Sequence, residues 1–202
     1  MQAPSPALSA HDLACRRGER LLFRRLSFAI EAGAACHVTG ANGAGKTTLI
    51  RALAGLTTPY AGEVRRTGAL ALLDERTGLD PDLPLGRALA FWFGLDGLAE
   101  ADAIMARLRL DALAEVPVRY LSTGQKKRAA LARLLGQRAP IWLLDEPLSG
   151  LDTASQGLVS ELVREHCARG GIALIASHQP LDVPGMISFA IEDFAPVEEA
   201  DA

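Results

Sequence analysis

Gly40-Ala41-Asn42-Gly43-Ala44-Gly45-Lys46-Thr47-Thr48 has the residue types and spacing of a polyphosphate cradle, G-x-x-x-x-G-K-[ST]. Its glycines let backbone N–H groups wrap an anion. An apolar run precedes the loop and a helical pattern follows, so a helix N-terminus adds positive potential at the same place. In that setting Lys46 reaches the β- and γ-phosphates and Thr47 coordinates Mg²⁺. A second run, Ile141-Trp142-Leu143-Leu144-Asp145-Glu146, closes an apolar strand on two acids. Carboxylates sit at the end of a central strand where a cation or water meets them. Asp145 fits a magnesium partner, and Glu146 fits a general base for water attacking the γ-phosphate. His178 follows the apolar run Ile172–Ser177. On the same sheet edge as Lys46 and Glu146, its imidazole can contact a γ-phosphate or orient the water. His11, His37 and His166 have no such company and read as structural.

Leu121-Ser122-Thr123-Gly124-Gln125 precedes a long amphipathic helix with Lys126, Lys127 and Arg128 in its first turn. Ser122 is a good N-cap and Gly124 permits close backbone approach. Cations in a first helical turn oppose the macrodipole, which points to an anion nearby; a basic solvated face is the alternative. By chemistry alone this segment is a helix cap or a phosphate site. Asp152, in Ser149-Gly150-Leu151-Asp152, reads as a turn or cap residue.

These residues need elements to hold them. Four short apolar runs, Ala34–Thr39, Ala69–Leu73, Ile141–Asp145 and Ile172–Ser177, read as buried strands. Helical patterns cover Lys46–Ala54, Gly86–Phe93, Ala99–Leu110, Gly124–Gly136 and Ala154–Ala168. Strands alternating with helices imply an α/β sheet with parallel strands, whose ligands bind beyond the carboxyl ends. The more polar Leu8–Ile30 is expected to form an antiparallel edge. The 202 residues suffice for one domain with a sizeable core, with residues 1–6 and 195–202 as loose ends. A net charge of −3 supplies no basic field for nucleic acid. Three widely spaced cysteines argue against a disulfide framework or a cysteine-rich zinc site. No secretory signal is evident, and no apolar run approaches the 18 or so residues of a membrane span. Only three lysines occur, against 18 arginines, and one of them is Lys46.

Taken in order, these motifs resemble the ATP-binding domains of ABC transporters over nearly the whole chain. Gly40–Thr48 looks like the Walker A loop, and Leu121–Gln125 like the LSGGQ signature with Thr123 for its first glycine. Ile141–Glu146 looks like Walker B with the catalytic glutamate, Ser149–Asp152 like the D-loop, and His178 like the switch histidine. The resemblance implies a three-layer P-loop NTPase core with a mostly parallel sheet, a small trimmed antiparallel β-subdomain and a helical signature subdomain. It implies ATP and Mg²⁺ as ligands, with Asn42, Gly43, Ala44, Gly45, Lys46, Thr47 and Thr48 around the phosphates. Two copies would pack head to tail, so that Ser122, Gly124 and Gln125 meet the nucleotide of the other copy and Asp152 lies near it. An integral membrane subunit would be the further partner, placing the chain peripherally on the cytoplasmic face of a bacterial inner membrane.

Within the superfamily the chain is more similar to the ATP-binding subunit of the haem exporter complex of cytochrome c biogenesis. The segments Arg20–Phe28, Asn42–Thr48, Leu121–Arg133 and His178-Gln179 carry that likeness. Arg17 stands where many relatives stack an aromatic on adenine; a guanidinium can stack there too, and a solvated surface arginine is the other reading. The Q-loop glutamine is missing: Arg76, or Glu75, stands in its place. An arginine has donors only and cannot ligate Mg²⁺, so Asp74 or Glu75 substitutes or the coupling differs. Ala88–Leu95 is aromatic-rich in a chain with 5% aromatics. Phe91, Trp92 or Phe93 is expected to line the groove for the membrane subunit, plain core being the alternative.

Overall fold

Period-two alternation along short apolar strands builds the centre of the molecule. In the computed structural model, which describes residues 5–196, Ile141 and Leu143 face one hydrophobic cluster while Trp142 and Leu144 face another. Both sides of the sheet are therefore covered, which is why its strands read as unbroken apolar runs. Five parallel strands make it: β3 (Ala35–Thr39), β5 (Leu70–Leu73), β6 (Ile141–Asp145), β7 (Ile172–Ala176) and β8 (Ile187–Ala190). Their spatial order is β5-β6-β7-β3-β8.

A second sheet lies on one side. It joins β1 (Ala7–Arg17), β2 (Arg20–Glu31) and β4 (Ala61–Thr67) antiparallel in the order β2-β1-β4. Leu8–Ile30 thus forms a hairpin in a separate sheet, not an edge of the parallel one. Its inward residues Leu8, Leu13, Phe23, Leu26 and Ile30 pack with α1 (Lys46–Leu53) and the sheet residues Val38 and Leu143. On the opposite side lie α2 (Leu85–Leu95), α3 (Ala101–Arg107), α4 (Thr123–Gly136) and α5 (Thr153–Ala168). The helix expected over Ala99–Leu110 is shorter, because Arg109 takes φ 53° and ends it. β8 was not expected: Ile187 is half exposed and its short run carries little apolar signal. Residues 1–4 and 197–202 of the expected loose ends lie outside the described range. Among the described residues no helix is long and apolar enough to cross a membrane.

Cys15, Cys36 and Cys167 are free and buried, and burial pushes the Cys36 thiol up to about 12. His37 and His166 are structural, as expected. His37 Nε2 lies 3.0 Å from the Ser177 carbonyl. The His166 ring stacks on Trp142 at 3.8 Å, with Nε2 3.1 Å from the Ile172 carbonyl. Burial holds the His166 pKa below the usual imidazole value. The folded state thus binds this proton less readily than the unfolded chain, so stability is lost as pH falls below about 6.5. Thermal melts of the wild type between pH 7.5 and 5 should show this loss, and His166→Gln should flatten that part of the profile.

Candidate active site

Three strand ends converge. The order β6-β7-β3 places the loops after Asp145, Ala176 and Thr39 side by side, although they are far apart in sequence. Adjacent strands lie about 4.8 Å apart, so the three loops span roughly 10 Å.

The loop after β3 needs backbone conformations that L side chains avoid. Gly40, Gly43 and Gly45 have φ of 144°, 83° and 116°. Gly45 caps α1 in a left-handed conformation, and a Cβ there would come within 3.2 Å of Phe23. Lys46 is buried, 6% exposed. Its Nζ donates to the carbonyls of Gly40 (2.6 Å) and Ala41 (3.2 Å) and lies 3.6 Å from Glu146 Oε1. The Ala41 N–H donates to Glu192 Oε1 from the turn after β8, a brace the sequence reading did not see.

Glu146 turns out of the sheet at φ 45°, directly before Pro147. A non-glycine residue there is strained, and such strain gathers at functional sites. Its N–H donates to the Ala176 carbonyl at 2.8 Å, which ties the turn to β7. His178 Nδ1–H donates to Glu146 Oε2 at 2.8 Å. Each carboxylate oxygen of Glu146 thus faces one cation-capable group, Lys46 or His178. Asp145 is 4% exposed, and its Oδ1 has no hydrogen-bond partner. Burial pushes its pKa up, while the Thr47 hydroxyl and Lys127 work against that rise.

Not every expected residue gathers here. A cleft of about 580 Å³ is lined by Asn42, Asp74, Glu75, Lys127, Glu146 and His178 among others. Arg76 is exposed; its N–H donates to Asp74 Oδ1, closing a local turn, while the acids before it face the cleft. Ser122 caps α4: Gln125 N–H donates to Ser122 Oγ (3.2 Å), and Ser122 N–H donates to Gln125 Oε1 (2.8 Å). A Cβ on Gly124 would lie 2.8 Å from the Gly150 carbonyl, so its close approach is already used within the chain. Asp152 caps α5 through Ser155 N–H at 2.7 Å. Arg17 is an exposed residue at the β1–β2 turn with no aromatic partner among the described residues.

Two cations of the α4 first turn have partners within the chain. Lys126 donates to the Arg119 carbonyl (3.4 Å), and Arg128 donates to the Leu108 carbonyl (3.2 Å) at the end of α3. Lys126 and Lys127 both line the chain's own cleft, and of the two only Lys127 is buried. The one signal in the sequence was the rarity of lysine, two of the three falling in this turn.

A phosphate loop, an acid pair and a histidine on three adjoining strand ends are the parts of a P-loop ATPase. A helical layer that opens on Leu121–Gln125 narrows the class to the ATP-binding domains of ABC transporters. A family profile described as ABC transporter matches residues 23–149. The chain is 54% identical over 189 residues to the cytochrome c biogenesis ATP-binding export protein CcmA of Novosphingobium aromaticivorans, covering 94% of this chain and 97% of that one. It is 51% identical to the protein of that name from Zymomonas mobilis, over 93% of this chain and 85% of that one. Among solved structures, an ABC transporter ATP-binding protein from Pyrococcus furiosus superposes with a TM-score of 0.81 at 23% identity, over 94% of this chain and all of that one. The chain belongs to the ATP-hydrolysing, ATP-binding subunits of ABC transporters, in the group of cytochrome c biogenesis ATP-binding export proteins.

Proposed function

We propose that Glu146, Lys46 and His178 carry out ATP hydrolysis, and that the reaction powers haem export or delivery for c-type cytochrome assembly. The observation that carries the chemistry is the Lys46–Glu146–His178 constellation on neighbouring strand ends. With ATP on the loop, Lys46 moves its three donors from the loop carbonyls to the β- and γ-phosphate oxygens. The backbone N–H groups of Gly43–Thr48 wrap the same phosphates, with Asn42 at the mouth of the loop. Glu146 then accepts a proton from the water that attacks the γ-phosphorus, and ADP leaves with the bridging oxygen. His178 holds Glu146 Oε2 through Nδ1–H and, in its imidazolium form, donates Nε2–H toward the charge that develops on the phosphoryl oxygens. The unpartnered, buried Oδ1 of Asp145 beside the Thr47 hydroxyl suits a Mg²⁺ held by these two residues. When bound, that ion would neutralise charge on the phosphates.

In this reading each ATP also contacts Ser122 and Gly124 of a second copy, with Asp152 nearby and Gln125 serving mainly as the cap of the signature helix. Ser122 is exposed at the N-terminus of α4, where an anion is favoured. Arg17 is exposed and free to lie beside a base. An integral membrane subunit docks on the helical layer at the cytoplasmic face of the inner membrane, and no nucleic acid takes part. The aromatic stretch divides its labour: Phe93 is buried in the core at 3% exposure, whereas Phe91 is 60% exposed and packs edge-on against Trp92. Phe91 is the docking residue of the three.

The likeness to cytochrome c biogenesis ATP-binding export proteins and the exposed Phe91 support this assignment, and one strain tests it. Deleting the gene should abolish haem-stained c-type cytochromes. The wild type should restore them and Lys46→Ala should not. Phe91→Ala should fold normally yet lose co-purification with the membrane subunit. Unchanged cytochromes in the deletion strain would overturn the physiological role, and full co-purification of the Phe91 variant would overturn the docking residue.

A further inference from the structure

Lys127 is a buried lysine with no hydrogen bond or ion pair among the described residues. It lies on α4, two residues past Gln125, and is 8% exposed. Its neighbours Lys126 and Arg128 each donate to a backbone carbonyl. Lys127 has no such partner among the described residues, although it lines the nucleotide cleft. An ammonium is costly to bury unless negative charge faces it. Three carboxylates line the same cleft, those of Asp74, Glu75 and Glu146, and the charge of Asp145 at the end of β6 also acts on the lysine. Burial pulls the Lys127 pKa down, and these four acids pull it back up.

The placement of the four acids gives the lysine its meaning. Asp145 and Glu146 end β6. Asp74 and Glu75 follow β5 and line the cleft. Arg76 is exposed and lies off the cleft, so it does not offset them. A cleft lined by three carboxylates repels a polyphosphate; Lys46 opposes it from the phosphate loop, and Lys126 also lines the cleft but is half-buried, with its ammonium on the Arg119 carbonyl.

We propose that Lys127 is a second fixed cation of this chain's own nucleotide site, a positioning residue that offsets the charge of Asp74 and Glu75 across the cleft. Lys127 acts in cis, on the carboxylates of its own chain. It makes nucleotide binding less dependent on Mg²⁺, because part of the charge the metal would offset is already offset.

The proposal rests on ATP binding at Gly40–Thr48, and binding of a fluorescent ATP analogue by the wild type is the control for that reading. Dissociation constants are measured in EDTA and at saturating Mg²⁺. Lys127→Met should weaken binding about tenfold in EDTA and at most about threefold with Mg²⁺, the size of one partly screened charge. Lys127→Arg should restore both values. Glu75→Gln should act in the opposite sense, tightening binding in EDTA about threefold, and should cancel much of the Lys127→Met defect when combined with it. Equal weakening of Lys127→Met in both conditions would overturn the proposal, as would failure of Lys127→Arg to rescue. If Lys127→Met does not fold, Glu75→Gln decides alone: no change in the ratio of the two constants overturns the proposal. A wild type that binds no ATP would instead refute the nucleotide site itself.

Discussion

Glu146→Gln is expected to lower steady-state ATP turnover about 10²- to 10⁴-fold, the usual contribution of a positioned general base. Glutamine keeps the shape and can still accept the His178 Nδ1–H through its amide oxygen. It cannot take a proton from water. The backbone turn at φ 45° is held by the Glu146 N–H to Ala176 bond and survives the change. Nucleotide affinity should therefore stay within a few-fold of the wild type, and Lys46 loses one neighbouring negative charge at 3.6 Å. With binding intact and hydrolysis blocked, ATP-dependent dimers should accumulate on a sizing column. Turnover equal to the wild type would remove Glu146 from its role as base. Loss of nucleotide binding in parallel with activity would recast it as a structural partner of Lys46.

Asp145→Asn should separate stability from activity. The buried carboxylate leaves Oδ1 without a hydrogen bond, and its pKa is raised chiefly by burial. A raised folded-state value means the native state binds that proton more tightly than the unfolded chain does. Stability in the nucleotide-free protein is then lost as pH rises above about 3.9, the value of an unfolded aspartate. Removing the charge should raise the melting temperature at pH 7.5 by about 2–4 °C, or about 1 kcal/mol, with a smaller difference toward pH 4. Loss of the attraction to Lys127 offsets part of the gain. Activity should fall about a hundredfold or more, and Mg²⁺ should no longer add to the stabilisation given by ATP. A variant that melts lower than the wild type at every pH would show that Asp145 is a structural member of the core.

How far the residues alone foretold this depends on what decides each feature. The phosphate loop was legible because its glycines, lysine and threonine act through local backbone and a single helix start. β6 and β7 were legible because a strand covered on both faces must be apolar throughout, as Ile141–Leu144 and Ile172–Ala176 are. β8 was not, since Ile187–Ala190 is partly exposed and too short to show a period. The end of α3 was missed because nothing in the sequence announces Arg109 at positive φ. Asp152, read as a turn or cap, does cap α5, which needs only neighbours in sequence. Ser122 and Gly124 were read for a partner's phosphate, yet Ser122 also closes a capping box and Gly124 abuts Gly150 of its own chain.

The sequence by itself determined the chemistry each loop can supply: an anion cradle at Gly40–Thr48, paired acids at Asp145 and Glu146, an imidazole at His178. Such properties depend on residue type and on contacts a few positions away. Only the tertiary structure decided which of them share a space. The order β6-β7-β3 brings Lys46 within 3.6 Å of a glutamate one hundred positions later and sets His178 on its other oxygen. It also buried Lys127 at the cleft that Asp74, Glu75 and Glu146 of its own chain line. Which face of α4 is buried is set by how that helix packs on the sheet, and that packing comes from burying apolar surface contributed by distant segments.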